Sequence, residues 1–186
     1  MAENEERFVA FAGEACVGGG TLAEAALAAK RALDGGEGVT VLVFDARTGA
    51  VRDLDLRGNE AEVAARHAPA QPGRGRPKLG VIPREVTLLP RHWDWLAAQP
   101  GGASVALRKL VEDARRTSAP ADRRRQAQEA AYRFLSALAG NLPGFEEATR
   151  ALFAGDAARF HEQTETWPAD VRDHARKLAM ASFDPS

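Results

Sequence analysis

Apolar and polar positions follow one period at the start of this chain and another at its end. Phe8, Val9, Ala10 and Phe11 form a short apolar run, Gly13-Glu14 reads as a turn, and Ala15 to Val17 as a returning strand. After Gly18-Gly19-Gly20 comes Thr21-Leu22-Ala23-Glu24, in which Thr21 and Glu24 have the spacing of a capping box, each able to satisfy a free amide of the other. A helix is expected to about Leu33, with Leu22, Ala25, Ala26, Ala29 and Leu33 on its apolar side and Gly35-Gly36 ending it. Val39 to Phe44 reads as a strand, Ala46-Arg47-Thr48-Gly49 as a hairpin turn, and Val51 to Leu56 as its return. The first segment is thus strand, strand, helix, strand, strand.

The second period takes over later. Arg84 to Pro90 reads as a short strand, and Arg91 to Ala98 as a short helix with Trp93, Leu96 and Ala97 on one side. Pro100-Gly101-Gly102 breaks it, and Ser104 can cap a further helix whose stripe is Val105, Leu107, Leu110, Val111 and Ala114. Ser118 to Asp122 reads as another break. Beyond it Ala127, Ala130, Ala131, Phe134, Leu135 and Leu138 recur at three and four. Shorter helices are expected over Phe145 to Phe153, Ala157 to Gln163 and Ala169 to Met180, with Pro168 suited to a first helical position. The fold class is α+β. Its parts are a small α/β unit over 1–66, a Pro/Gly linker over 67–80, a strand-helix-helix block over 81–118 and a helical region over 119–186.

Charge changes this picture more than composition does. The formal net charge is -1, yet residues 71–125 hold twelve Lys or Arg against five Asp or Glu, and the remainder holds thirteen against twenty-one. A concentrated positive field attracts polyanions even on a nearly neutral molecule. Cys16 is the single cysteine, which leaves no disulfide framework and reads as a small buried apolar residue. The acidic first seven residues lack an apolar core after them, and no apolar run approaches the roughly 20 residues that span a bilayer. A cytoplasmic protein with no membrane association is expected.

The linker holds Arg74-Gly75-Arg76-Pro77-Lys78. Gly75 and Pro77 favour a flat, extended path, and arginines along such a path suit the narrow minor groove of A·T-rich DNA. This stretch resembles the AT-hook, whose core is Arg-Gly-Arg-Pro. The block after it, a strand closed by Leu89-Pro90, a short helix, a glycine break and Ser104-x-x-Leu107-Arg108-x-Leu110-Val111, resembles the ribbon-helix-helix proteins. That resemblance implies a homodimer whose paired strands enter the major groove. It places Arg84, Val86 and Leu88 toward the groove, with Leu89 buried, and Gly102, Ala103 and Ser104 as an amide clamp on a phosphate. Val86 and Leu88 cannot hydrogen-bond to base edges, and the block is expected to contact phosphates, with Arg84, Arg108 and Lys109 among its DNA-binding residues. Over its whole length the chain resembles the uncharacterised bacterial family of domain of unknown function 2239. The stretches carrying this are Val41 to Asp45, Gly75 to Val81, Glu85 to Leu96 and Trp167 to Asp170.

No catalytic arrangement, metal site or cofactor is expected. Gly18-Gly19-Gly20-Thr21 lacks the Lys-Ser/Thr ending that holds nucleotide phosphates. His67, His92, His161 and His174 never recur at three or four. Asp53 and Asp55 share a strand face without a base partner, and an enzyme built on them would need a deep pocket beside them. The expected function is binding of A·T-rich duplex DNA by a homodimer, as in a transcriptional regulator. The alternative is a protein-interaction or structural module without a nucleic-acid role, its basic stretch paired with the acidic termini.

Overall fold

The computed structural model describes residues 8–36, 38–69, 80 and 82–184. They form β1 (Phe8–Ala12), β2 (Ala15–Gly20), α1 (Leu22–Gly35), β3 (Val41–Asp45), β4 (Val51–Arg52), α2 (Glu60–His67), α3 (Pro90–Ala97), α4 (Gly102–Leu138), α5 (Phe145–Ala154), α6 (Ala157–Gln163), α7 (Ala169–Ala179) and a closing 3-10 turn, Met180–Ser182. The fold is α+β. Two compact units divide the chain, Met1–Ala70 with Ala121–Ser186, and Gln71–Pro120.

In the larger unit an antiparallel sheet runs in the order β2-β1-β3-β4. Side chains alternate across a sheet, so β1 and β3 bury both of their faces. Ala10 and Val43 point to one side, where they pack with Ala25 and Ala29 of α1. Val9, Phe11 and Phe44 point to the other, into a core with Phe134 and Leu135 of α4, Leu152 of α5, Phe160 of α6 and Val171 of α7. Phe11, Phe44 and Phe134 meet edge-on or tilted, with centroids 5.0–6.0 Å apart. The capping box expected at Thr21 and Glu24 is formed.

Several local expectations are corrected. The returning strand does not stop at Val17: Gly18, Gly19 and Gly20 belong to β2, paired with Ala10, Val9 and Phe8. A Cβ on Gly18 would lie 2.7 Å from that of Ala28, so the glycine lets α1 settle directly on the strand. The return strand is two residues long, because Leu54 and Leu56 turn into the α1-side core instead of continuing the ladder. An unexpected helix, α2, follows, started by the reciprocal cap of Asn59 and Glu62. The break at Ser118 to Asp122 is absent and α4 runs through Pro120. There Thr117 Oγ1 and Ser118 Oγ donate to the carbonyls of Asp113 and Ala114, at 3.0 and 2.6 Å, and so stay within the helix. Pro168 is the cap before α7, one residue earlier than expected.

The Trp167-Pro168-Ala169-Asp170 stretch holds this unit together. Trp167 is buried and its Nε1 donates to the Pro143 carbonyl at 2.7 Å. Asp170 Oδ2 accepts from the amide of Cys16 at 2.8 Å, tying the first turn of α7 to β2. Cys16 itself is exposed, not buried as its type suggests.

In the smaller unit, residues 82–89 form no helix or strand, so the strand expected over Arg84 to Pro90 is not formed within the chain. Strands need a pairing partner, and among the described residues this segment has none. Leu89 is exposed rather than buried, as are Trp93 and Ala97; of the expected α3 face, Leu96 alone is covered. Ala106 is buried in place of the expected Leu110 and Val111, which face outward.

Candidate nucleic-acid interface

Arg74, Arg76 and Lys78, the expected minor-groove residues, lie outside the described residues. The rest of the candidate surface can be built from α3 and α4. Arg84, Arg91, Arg108, Lys109, Arg115 and Arg116 are all exposed. Each residue of a helix turns the next by 100°, which places Arg108, Lys109, Arg115 and Arg116 within about 120° of one side of α4. The i, i+1, i+7, i+8 spacing is the signal in the sequence that joins Arg115 and Arg116 to Arg108 and Lys109.

The stripe is not purely positive. Glu112 Oε1 accepts from Arg115 Nη1 at 2.9 Å, and Asp113 pairs with Arg116. Exposed pairs of this kind contribute roughly 0–1 kcal/mol, so a phosphate competes for either guanidinium at little cost. Among the described residues Arg84, Arg91 and Lys109 make no ion pair, and Arg108 Nε donates to the Ser104 carbonyl at 3.1 Å. That bond turns Arg108 back along the helix toward its first turn.

The expected phosphate clamp is partly engaged. Gly102, Ala103 and Ser104 open α4, but the Gly102 amide already donates to the Gln99 carbonyl at 2.9 Å. Ser104 lies inside the first turn and is not its cap. Helix geometry leaves the amides of Ala103 and Ser104 to an outside acceptor.

The other candidates are occupied by structural tasks. The start of α1 is closed by its own residues: the backbone and hydroxyl of Thr21 hold the Glu24 carboxyl below its ordinary value. Asp55 is gripped by Arg57, whose side chain and then amide hold its carboxyl well below the usual range. Arg66 Nη1 donates to the carbonyls of Asp55 and Arg57 at 2.7 and 2.9 Å, which folds the segment after β4 onto α2. Asp53 is exposed beside it. The His174 ring meets Phe11 edge-on and Phe134 at a tilt, and His67 Nε2 lies 3.1 Å from the Asp55 carbonyl. Among the described residues no group of three His, Cys, Asp or Glu could hold a metal ion, and no helix is long and apolar enough to cross a membrane. A groove of about 440 Å³ is lined by Gly49, Ala50, Val51, Tyr132, Arg133, Ser136 and Ala137, without a carboxylate, histidine or cysteine.

No curated protein and no solved structure matches the chain. The ribbon-helix-helix likeness therefore has no support from known folds, and the two helices α3 and α4 are what remains of it. A family model does match, over residues 7–179, nearly the whole length. The chain belongs to that family, described as "Uncharacterized protein conserved in bacteria (DUF2239)".

Proposed function

We propose that this protein binds duplex DNA, preferring A·T-rich sequence, and acts as a cytoplasmic homodimer of the transcriptional-regulator type. The observation that supports the reading best is the outward-facing cation stripe of Arg108, Lys109, Arg115 and Arg116, with Arg84 and Arg91 exposed in the same unit. A stripe two turns long offers several cations to one backbone, and releasing condensed counterions from that backbone supplies the affinity. Arg74, Arg76 and Lys78 add the minor-groove preference through the Arg-Gly-Arg-Pro-Lys sequence.

Fluorescence anisotropy with labelled A·T-rich and G·C-rich duplexes at a series of salt concentrations tests this. Four to six neutralised phosphates give a log-log slope on the order of -4 to -5. Arg108→Ala with Lys109→Ala weakens both duplexes alike and lowers the slope by about 2. Arg74→Ala with Arg76→Ala weakens the A·T-rich duplex more. Absence of binding at low salt, or binding indifferent to salt, refutes the reading and leaves the protein-interaction module in its place.

A further inference from the structure

The tryptophans of the smaller unit stand where tryptophan seldom stands. Trp95 is 52% exposed and Trp93 40%, on a helix of eight residues whose buried side chain is Leu96. Helical spacing separates their roles. Trp93 and Trp95 lie about 160° apart round α3, whereas Arg91 and Trp95, four residues apart, lie within about 40° and share a side. The Trp95 carbonyl accepts from Gln99 Nε2 at 3.1 Å. Among the described residues its indole N–H donates to nothing, no cation lies over its ring, and Arg91 makes no ion pair. An exposed indole and an exposed guanidinium thus stand side by side, neither of them engaged.

A purely apolar occupant would cover the indole while drawing the guanidinium beside it out of water. A ligand with a flat π-face and a negative charge close to it satisfies both at once. An unpaired nucleotide has this form: its base stacks on an aromatic ring and its phosphate pairs with a cation. A base inside a duplex does not, since its neighbours cover both of its faces. We infer that Arg91 and Trp95 hold an unpaired nucleotide, Trp95 stacking on the base and Arg91 meeting the phosphate, so that the smaller unit takes single-stranded nucleic acid. Arg84, Arg108 and Lys109 of the same unit are exposed and, among the described residues, pair with no carboxylate, so they add attraction for the strand's backbone. The inference rests on the nucleic-acid reading above for these charges and adds a form of ligand that reading lacks, a strand melted or never paired. Stacking tolerates any base, so little sequence preference is expected at this position.

The test is anisotropy of the full chain with a labelled oligothymidylate, an oligouridylate and a mixed-sequence duplex of equal length, alongside tryptophan emission with the unlabelled strands. The wild type binds one or both single strands, the preferred sugar naming DNA or RNA as the source, and binding quenches its emission. Trp95→Leu weakens single-strand binding by about tenfold and loses most of the quenching, Trp95→Phe restores most of the affinity, and Trp93→Leu on the far side changes it less than about twofold. Arg91→Gln lowers the single-strand salt slope by roughly 0.7. Duplex affinity stays within about twofold in the three tryptophan variants, and their far-UV circular dichroism is unchanged. No retention of either single strand at low salt overturns the inference, even where the duplex binds. Undiminished single-strand affinity in Trp95→Leu also overturns it and assigns the indole to a protein or lipid contact, as does an unchanged slope in Arg91→Gln. Equal losses on strand and duplex in Trp95→Leu overturn it too, because stacking on an unpaired base cannot weaken the duplex. A single strand bound without the duplex refutes the duplex reading and leaves this one standing, so the two fail separately.

Discussion

At Gly49 the turn after β3 comes so close to α4 that a Cβ would stand 1.9 Å from the Ala130 carbonyl oxygen, and the backbone there has φ of +64°. Neither the helix backbone nor the turn can yield easily, so Gly49→Ala is expected to lower stability by about 3 kcal/mol or more, read as a fall in the urea midpoint. Asp45 shapes the same turn by accepting from the amides of Arg47 and Thr48 at 3.0 and 2.9 Å. Partial burial pushes its carboxyl up, but the amide bonds of Thr48 and Arg47 outweigh this and hold it below its ordinary value. A carboxyl depressed in the folded state stabilises fully above its unfolded pKa of about 4. That contribution fades as pH falls through the lower folded value. Asp45→Ala therefore loses about 1 kcal/mol at pH 7, and urea titrations at successively lower pH should bring the wild type and variant together.

Among the elements, those with a strong local signal were readable in advance and those decided by distant partners were not. β1 and β3 are continuous apolar runs and α1 carries a cap, a stripe and a stop, so each stands close to where the sequence puts it. α2 escaped notice although its Asn59–Glu62 cap is written in the sequence, because Val63 is its one buried residue and a single position makes no stripe. The segment Arg84 to Pro90 has β-forming residues but, among the described residues, no neighbour to pair with. The cation stripe was legible as charge, while its counter-ions Glu112 and Asp113 show their pairing only once helical spacing is fixed. α4 overrides the Ser-Ala-Pro signal altogether, at a cost. Pro120 has no amide for the Arg116 carbonyl and its ring crowds that turn, effects of up to about 3 kcal/mol in a helix interior. Pro120→Ala should accordingly raise both the denaturation midpoint and the helical ellipticity at 222 nm; a lower midpoint would show that the proline is needed where it stands.

On the scale of the whole molecule, buried apolar residues are unevenly shared. Among the described residues, twenty-three of the twenty-five belong to the unit that contains the sheet, and two, Leu96 and Ala106, to the other. Local opening follows local burial. Amide exchange followed by mass spectrometry should therefore show slow amides along 127–138 and fast ones along 105–116 of the same helix, and uniform protection along α4 would contradict the division. The tryptophans follow the same partition: Trp167 is 3% exposed in one unit, while Trp93 and Trp95 are 40% and 52% exposed in the other. Their emission supplies a built-in optical label for each part. Iodide quenches the outer two and spares the inner one, so ligand or subunit capture on residues 71–120 and unfolding of the sheet unit become separately visible in one unlabelled sample.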